Sequence, residues 1–272
     1  MRVALTGANG FVGRHLRETF PDHVIINRHD TVEVILQKFE GVDAVFNLAG
    51  APIIKRWSKE YKKVLLSSRI QTTRTVVQAI NRSQVKHFIS TSAIGAYPDD
   101  IACDETYSNY SDDFLGFLTK AWEEEALQCQ KPTTIIRFGV ILGKEGGALP
   151  GMLLPFKLGL GGIIGDGRMM TSWIDISDLI SIYKYILENK VMGTLNATSP
   201  HPVSNNTFTK ALGKRLHRPT IIPLPKFILK LIFGEGASVI TASKEVYPKV
   251  LIESGFEFKY KDIDSSLKHL LQ

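Results

Sequence analysis

The chain has 272 residues, 44% of them hydrophobic and 22% charged, with a net charge of +6, which suits one α/β domain with a smaller lobe and excludes a disordered or fibrous chain. Two cysteines, Cys103 and Cys129, are too few for a disulfide framework or a zinc site and read as reduced structural thiols. The longest apolar stretches, 151–165 and 227–240, are broken by Pro155, Lys157, Lys230 and Glu235, so no membrane span is expected, and a strand starting at residue 2 leaves no room for a signal peptide, which points to the cytoplasm.

Arg2 to Leu5 reads as a buried strand, Thr6 to Gly13 (TGANGFVG) as a glycine turn and Phe11 to Phe20 as a helix. In such a unit Gly7 allows a sharp turn at φ > 0, Gly10 lets backbone approach a pyrophosphate, and Gly13 lets the helix pack closely on the strand. The phosphates would sit on the free N–H groups of the helix's first turn, where the dipole also favours negative charge. Gly7, Asn9, Gly10, Phe11, Val12 and Gly13 are therefore the first candidate cofactor contacts. A second strand, His23 to Ile26, ends at Asn27-Arg28. An acid at that position suits a free ribose 2′-hydroxyl and an arginine suits a 2′-phosphate, so NADP(H) is favoured over NAD(H).

Val32 to Phe39 has helical spacing, and Val42 to Asn47 is a third strand ending in NLAG. Strands and helices alternate, the signature of a doubly wound parallel sheet of the Rossmann type. Leu48, Ala49 and Gly50 lie at a strand's carboxyl end, where small side chains would line an adenine and ribose wall. Lys55 to Arg69 carries six basic side chains and one acid, mostly the wet face of a long helix, with Arg69 singled out because it precedes the apolar stripe where the helix should pass the cofactor. A fourth strand, His87 to Thr91, leads to Ser92 and Tyr97. A hydroxyl and a phenol there are candidates for polarising a carbonyl and delivering a proton, with Tyr97 as the acid and reduction of a carbonyl as the favoured direction.

Asp112 to Gln130 reads as an amphipathic helix and Thr133 to Phe138 as a fifth strand, after which Gly139, Val140 and Ile141 should bring backbone toward the nicotinamide. The stretch 146–167 has no clear period and reads as a mobile segment over the cleft. Trp173 to Asp178 opens another helix, Gly193 to Ala197 is a short strand, and 202–272 is helical by pattern with four prolines from Pro219 to Pro248. This divides the chain into a nucleotide-binding domain, 1–150, and a smaller, mostly helical substrate lobe, 151–272, with 174–199 packing back on the first. Residues 201–272 carry 11 basic and six acidic side chains against 22 and 21 in residues 1–200. No arginine-rich run suggests nucleic acid. The expected partner is a small-molecule substrate, with neither nucleic acid nor membrane, and the oligomeric state is left open.

Taken together, TGANGFVG, NLAG, STSAIGAY, RFGVILG and GDG followed by WIDISDL resemble the extended short-chain dehydrogenase/reductase superfamily over essentially the whole chain. SSRIQTTR, FLGFLTKAWEEEA, GGALPGMLLPFKLGLGGIIGDGR, RLHRPTIIPLP and GFEFKY resemble its atypical branch, the nucleoside-diphosphate-sugar epimerase-like proteins. The resemblance implies that Asn27, Arg28, Leu48, Ala49 and Arg69 contact the cofactor and that Ser92 is the catalytic serine. It also implies a tyrosine and a lysine spaced YxxxK, and the chain has none. With Glu123 matched to the acid that ends that helix motif, the two positions fall at Leu115 and Thr119. Two readings follow: an NADP(H)-dependent oxidoreductase or epimerase-like enzyme on a carbonyl or sugar-like molecule, or a non-catalytic NADP(H)-binding protein that signals cofactor state to a partner.

Overall fold

The computed structural model describes residues 1–272. Six short strands, β1 (Val3–Thr6), β2 (His23–Ile26), β3 (Ala44–Asn47), β4 (His87–Ala93), β5 (Thr133–Phe138) and β6 (Gly193–Ala197), pair in parallel in the order β6-β5-β4-β3-β1-β2. Helices α1 (Phe11–Thr19), α2 (Val32–Lys38), α3 (Lys59–Asn81) and α4 (Phe114–Ala126) connect the first five strands. Helices α5 (Leu149–Lys157) and α6 (Ile176–Asn189) precede β6, and α7 (Asn205–Leu216) and α8 (Lys226–Phe233) follow it.

Successive side chains of a strand point to opposite faces, so these nearly unbroken apolar strands feed two cores. Val3, Leu5, Phe46, Ile89, Ile136 and Leu195 join the larger core with Leu16 of α1 and the buried stripe of α6. Their neighbours Ala4, Val45, Phe88 and Ile135 turn the other way and meet Ile35 of α2 and Val76, Val77 and Ile80 of α3. The strand order reverses between β1 and β3, which places a crevice at the carboxyl ends of those two strands.

Two expectations change here. The stretch 146–167 is not a structureless lid: it contains α5, whose Leu149 and Phe156 are buried in the larger core. Pro150 in the first turn, where no N–H bond is needed, and Pro155 near the end hide a helix too short to show a period. Nor does the region after residue 150, outside 174–199, stay wholly apart. Strand β6, within that stretch, is an edge of the main sheet, and the last helix, Ile263–Leu270, well beyond it, also buries Ile263, Leu267 and Leu270 in the larger core.

The two motifs WIDISDL and GFEFKY are partners in space. Asp178 of α6 accepts the N–H groups of Lys259 and Tyr260, both at 2.9 Å, and Asp175 accepts the Ser266 hydroxyl at 2.7 Å. Burial raises the Asp178 pKa despite those two bonds. What remains of the smaller lobe has its own small core of Ile164, Met169, Leu229 and Ala237. It meets the sheet half through Trp57, which bridges to Gly234, and Arg56, whose guanidinium donates to the Leu231 carbonyl at 2.6 Å.

Candidate functional site

The crevice is built first from backbone. Gly7 has φ +63°, and a Cβ there would lie 3.0 Å from the Leu48 carbonyl carbon; a Cβ on Gly13 would lie 2.4 Å from the Gly7 carbonyl oxygen. The Thr6 hydroxyl accepts the N–H groups of Leu48 at 2.9 Å and Ala49 at 3.0 Å and donates to Asn47 at 2.8 Å, binding the end of β3 to the end of β1. Asn47 continues into a buried set with Thr73, Ser90 and, through Thr73, Trp122.

Helices α2, α3, α4, α6 and α7 are each capped by a side chain, from Thr31, Ser58, Asp113, Asp175 and Ser204. Helix α1 has Gly10 at its N-cap, no side-chain cap and no acid in its first turn, so its leading N–H groups face the crevice without an internal acceptor. Phe11 does not turn its ring to the crevice. The ring fills a slot between Gly143 and Gly146, where a Cβ on either glycine would come within 2.2 Å of it, so only its backbone is placed for a ligand. Val12 packs on the larger core, and the Asn9 side chain accepts from Arg17 at 3.3 Å.

At the end of β2 a pocket is lined by Asn27, Arg28, Asp30, Gln71, Thr72 and Thr75. The acid in this pocket is already engaged. Asp30 accepts the Asn27 N–H at 2.7 Å and the Lys38 ammonium at 2.5 Å, and although burial opposes its ionisation, these bonds hold its pKa below the usual range. Arg28 is exposed and makes no ion pair, so the free charge in the pocket is positive. Arg69 of α3 lies deeper. Its guanidinium donates to the carbonyls of Ala51 at 3.1 Å and Leu65 at 3.3 Å, stacks on Trp122 at 5.2 Å and fills the space where Gly50 has no Cβ. No carboxylate pairs with it, and burial lowers its pKa to about 10, so at neutral pH it remains a half-buried cation without a counter-charge. An uncapped helix, a free arginine and an unpaired half-buried arginine along one crevice fit a dinucleotide with several phosphates.

At the end of β4 the arrangement departs from expectation. Ser92 is buried and donates its hydroxyl to Glu123 of α4 at 2.5 Å. Arg137 of β5 grips both Glu123 oxygens, at 2.9 and 2.8 Å, and the Tyr110 phenol donates to the second at 2.7 Å. Burial alone would lower the Arg137 pKa, but Glu123 pushes it up; burial and the Glu123 charge push Tyr110 up to about 12. Sequence reasoning used Glu123 only to align a motif and missed this cluster, although an arginine inside the apolar run Thr133 to Phe138 was a signal.

Tyr97 is not a proton donor facing the crevice, and that expectation is corrected. A short 3-10 turn, Ile94–Ala96, swings it inward, where it is fully buried beside Ile94, Cys103 and Val246 and donates to Asn196 at 2.9 Å. Burial raises its pKa further. Leu115 and Thr119, at the tyrosine and lysine positions, supply no substitute. Leu115 packs with Trp57, Leu65 and Leu118, and the Thr119 hydroxyl donates to the Leu115 carbonyl at 2.8 Å. Gly139 and Val140 spend their N–H groups on the carbonyls of Ala197 at 3.0 Å and Ser172 at 2.8 Å. With Ile141, whose carbonyl accepts the Ala148 N–H at 2.9 Å, Val140 belongs to a short strand, Val140–Leu142, paired with Trp173–Asp175, so the side chains are what remain for a ligand.

Residues 3–197 match the NAD dependent epimerase/dehydratase family, and residues 224–270 match a domain of unknown function, DUF1731. The chain belongs to the NAD dependent epimerase/dehydratase family. It is 35% identical to the chloroplastic SDR39U1 homologue of Arabidopsis thaliana, over 100% of this chain and 87% of that one. It is equally 35% identical to the epimerase family protein YfhF of Bacillus subtilis, over 100% and 98%. Human SDR39U1, crystallised with NADPH, superposes with a TM-score of 0.91 at 31% identity, covering 100% of this chain and 99% of that one. The fold is shared with a Bacillus anthracis dTDP-4-dehydrorhamnose reductase in complex with NADP, at a TM-score of 0.78 and 17% identity, covering 99% of this chain and 98% of that one. The family match spans β1 to β6, the sheet that makes the crevice, and the DUF1731 match spans α8 and the last helix. No helix of this family member is long and apolar enough to cross a membrane.

Proposed function

We propose that this protein is an NADP(H)-dependent oxidoreductase or epimerase-like enzyme acting on a carbonyl or sugar-like small molecule without the tyrosine and lysine of its superfamily. The observation that carries the reading is the row of uncompensated positive groups in the crevice: the open N-terminus of α1, free Arg28 and half-buried Arg69. NADPH in the human relative supports the choice of cofactor. When bound, the nicotinamide supplies or takes up a hydride. Ser92, its own proton held by Glu123, can accept a hydrogen bond from a substrate hydroxyl but has no proton free for a carbonyl oxygen. The proton that balances the hydride is exchanged with water, and the preference for carbonyl reduction that rested on Tyr97 is withdrawn.

Arg28→Ala should weaken NADPH binding about tenfold or more and NADH binding hardly at all, because a charge-assisted contact to the 2′-phosphate is worth about 1.5–3 kcal/mol. Calorimetric titration with both nucleotides checks this, and equal losses for the two would sink the NADP(H) assignment. Ser92→Ala should leave NADPH affinity nearly unchanged and lower turnover about 100-fold, the usual scale for losing a group at the reacting atoms. The assay is a panel of alcohols, aldehydes, ketones and sugar derivatives with NADP+ or NADPH. A second reading, a non-catalytic NADP(H)-binding protein that reports cofactor state to a partner, is favoured by the commitment of both the Ser92 and Tyr97 hydroxyls to internal acceptors. It takes over if no compound in the panel turns over above background.

A further inference from the structure

The outer face of the smaller lobe is apolar without being covered. Ile221 is 84% exposed, Leu231 69% and Phe227 62%, and Leu154 of α5 and Leu158 just after it are as open. The segment after α5 runs beside the segment before α8, with Leu224 donating to the Ile163 carbonyl at 2.8 Å, Gly165 donating back to Leu224 at 3.0 Å and Arg218 reaching the Lys157 carbonyl at 2.9 Å. On α8 the inward side is Leu229, buried in the lobe's core. Phe227 and Leu231, four residues apart, form a stripe on the opposite side, and exposed Lys226 and Lys230 flank it.

Charge identifies what fits this face. From His201 to Glu235 there are six basic side chains and one acid. The one acid, Glu235, is paired with Lys62. A second copy of the chain would bring two lysine-rimmed faces together, whereas an anionic lipid surface offers acyl chains to the apolar stripe and phosphates to its rim.

We propose that the α5 and α8 face of the smaller lobe attaches the protein peripherally to anionic bilayers. The expectation of no membrane partner rested on the lack of a spanning segment, and surface attachment needs none. Phe227 and Leu231 enter the headgroup boundary, while Lys226, Lys230, Lys157 and Arg218 meet the phosphates.

The test is co-sedimentation of the full-length protein with vesicles of phosphatidylglycerol mixed with phosphatidylcholine, and with vesicles of phosphatidylcholine alone. The protein should pellet with the first and not the second, and be released by high salt. The double variants Phe227→Ser/Leu231→Ser and Lys226→Glu/Lys230→Glu should each lower the bound fraction about tenfold or more. Because these side chains are exposed, melting temperature and NADPH affinity should stay those of the parent, which separates lost attachment from lost fold. The proposal is overturned if the parent stays in the supernatant with anionic vesicles, if it pellets equally with phosphatidylcholine alone, or if both variants pellet like the parent. A concentration-dependent dimer in analytical ultracentrifugation that Phe227→Ser/Leu231→Ser dissolves would also overturn it, by showing that a second copy covers the face.

Discussion

Replacing Gly13 by valine should lower NADPH affinity about 100-fold or more. The Cβ of any residue at this position would lie 2.4 Å from the Gly7 carbonyl oxygen and 2.8 Å from the Ala8 Cα. Both are backbone atoms, so relief requires α1 to move away from the glycine turn. The N–H groups of the first turn move with it, and losing two charge-assisted bonds at about 1.5–3 kcal/mol each accounts for the expected loss. Helix α1 also buries Leu16 in the larger core, so a lower melting temperature should accompany the change. Calorimetry on material shown by circular dichroism to be folded decides the matter. A folded Gly13→Val protein that binds NADPH within a few-fold of the parent would place the phosphates elsewhere.

Arg137→Met should destabilise the fold by about 3–5 kcal/mol, the range for removing one partner of a buried ion pair. Both partners are nearly inaccessible, and without Arg137 the Glu123 carboxylate keeps only the hydroxyls of Ser92 and Tyr110. The double change Glu123→Leu/Arg137→Met should recover much of that loss, since well-packed apolar side chains of similar volume replace a buried pair at little net cost. Arg74→Ala provides the contrast: its pair with Glu125 lies at the surface and should be worth less than about 1 kcal/mol. Urea unfolding of the four proteins checks the ordering. If Arg137→Met is no worse than Arg74→Ala, the cluster behind Ser92 is more hydrated than its burial implies.

Residue order along the chain determined the sheet, the glycine turn and the choice between the two nicotinamide cofactors. Apolar runs such as Thr133 to Phe138 need only their own pattern to read as strands, and Gly13 acts on the backbone of Gly7 and Ala8, a few residues away. Arg28 is legible for the same reason, since it follows β2 directly. The fates of the reactive side chains depended on partners far along the chain. Ser92 meets a carboxylate 31 residues on and Tyr97 an amide 99 residues on. Nothing in the run from Ser92 to Tyr97 shows that β4 points the serine at α4 and that the 3-10 turn after it sends the tyrosine into the core. Asp30, Lys38 and Arg69 are similar: their identities were plain, but whether each charge is paired or free is an electrostatic property of the packed interior. Helix α5 was hidden because its two prolines and short length erase the period, and it is held by burial of Leu149 and Phe156. Local backbone rules therefore decided where a ligand can sit, and only the packing of distant segments decided which polar groups remain free to act on it.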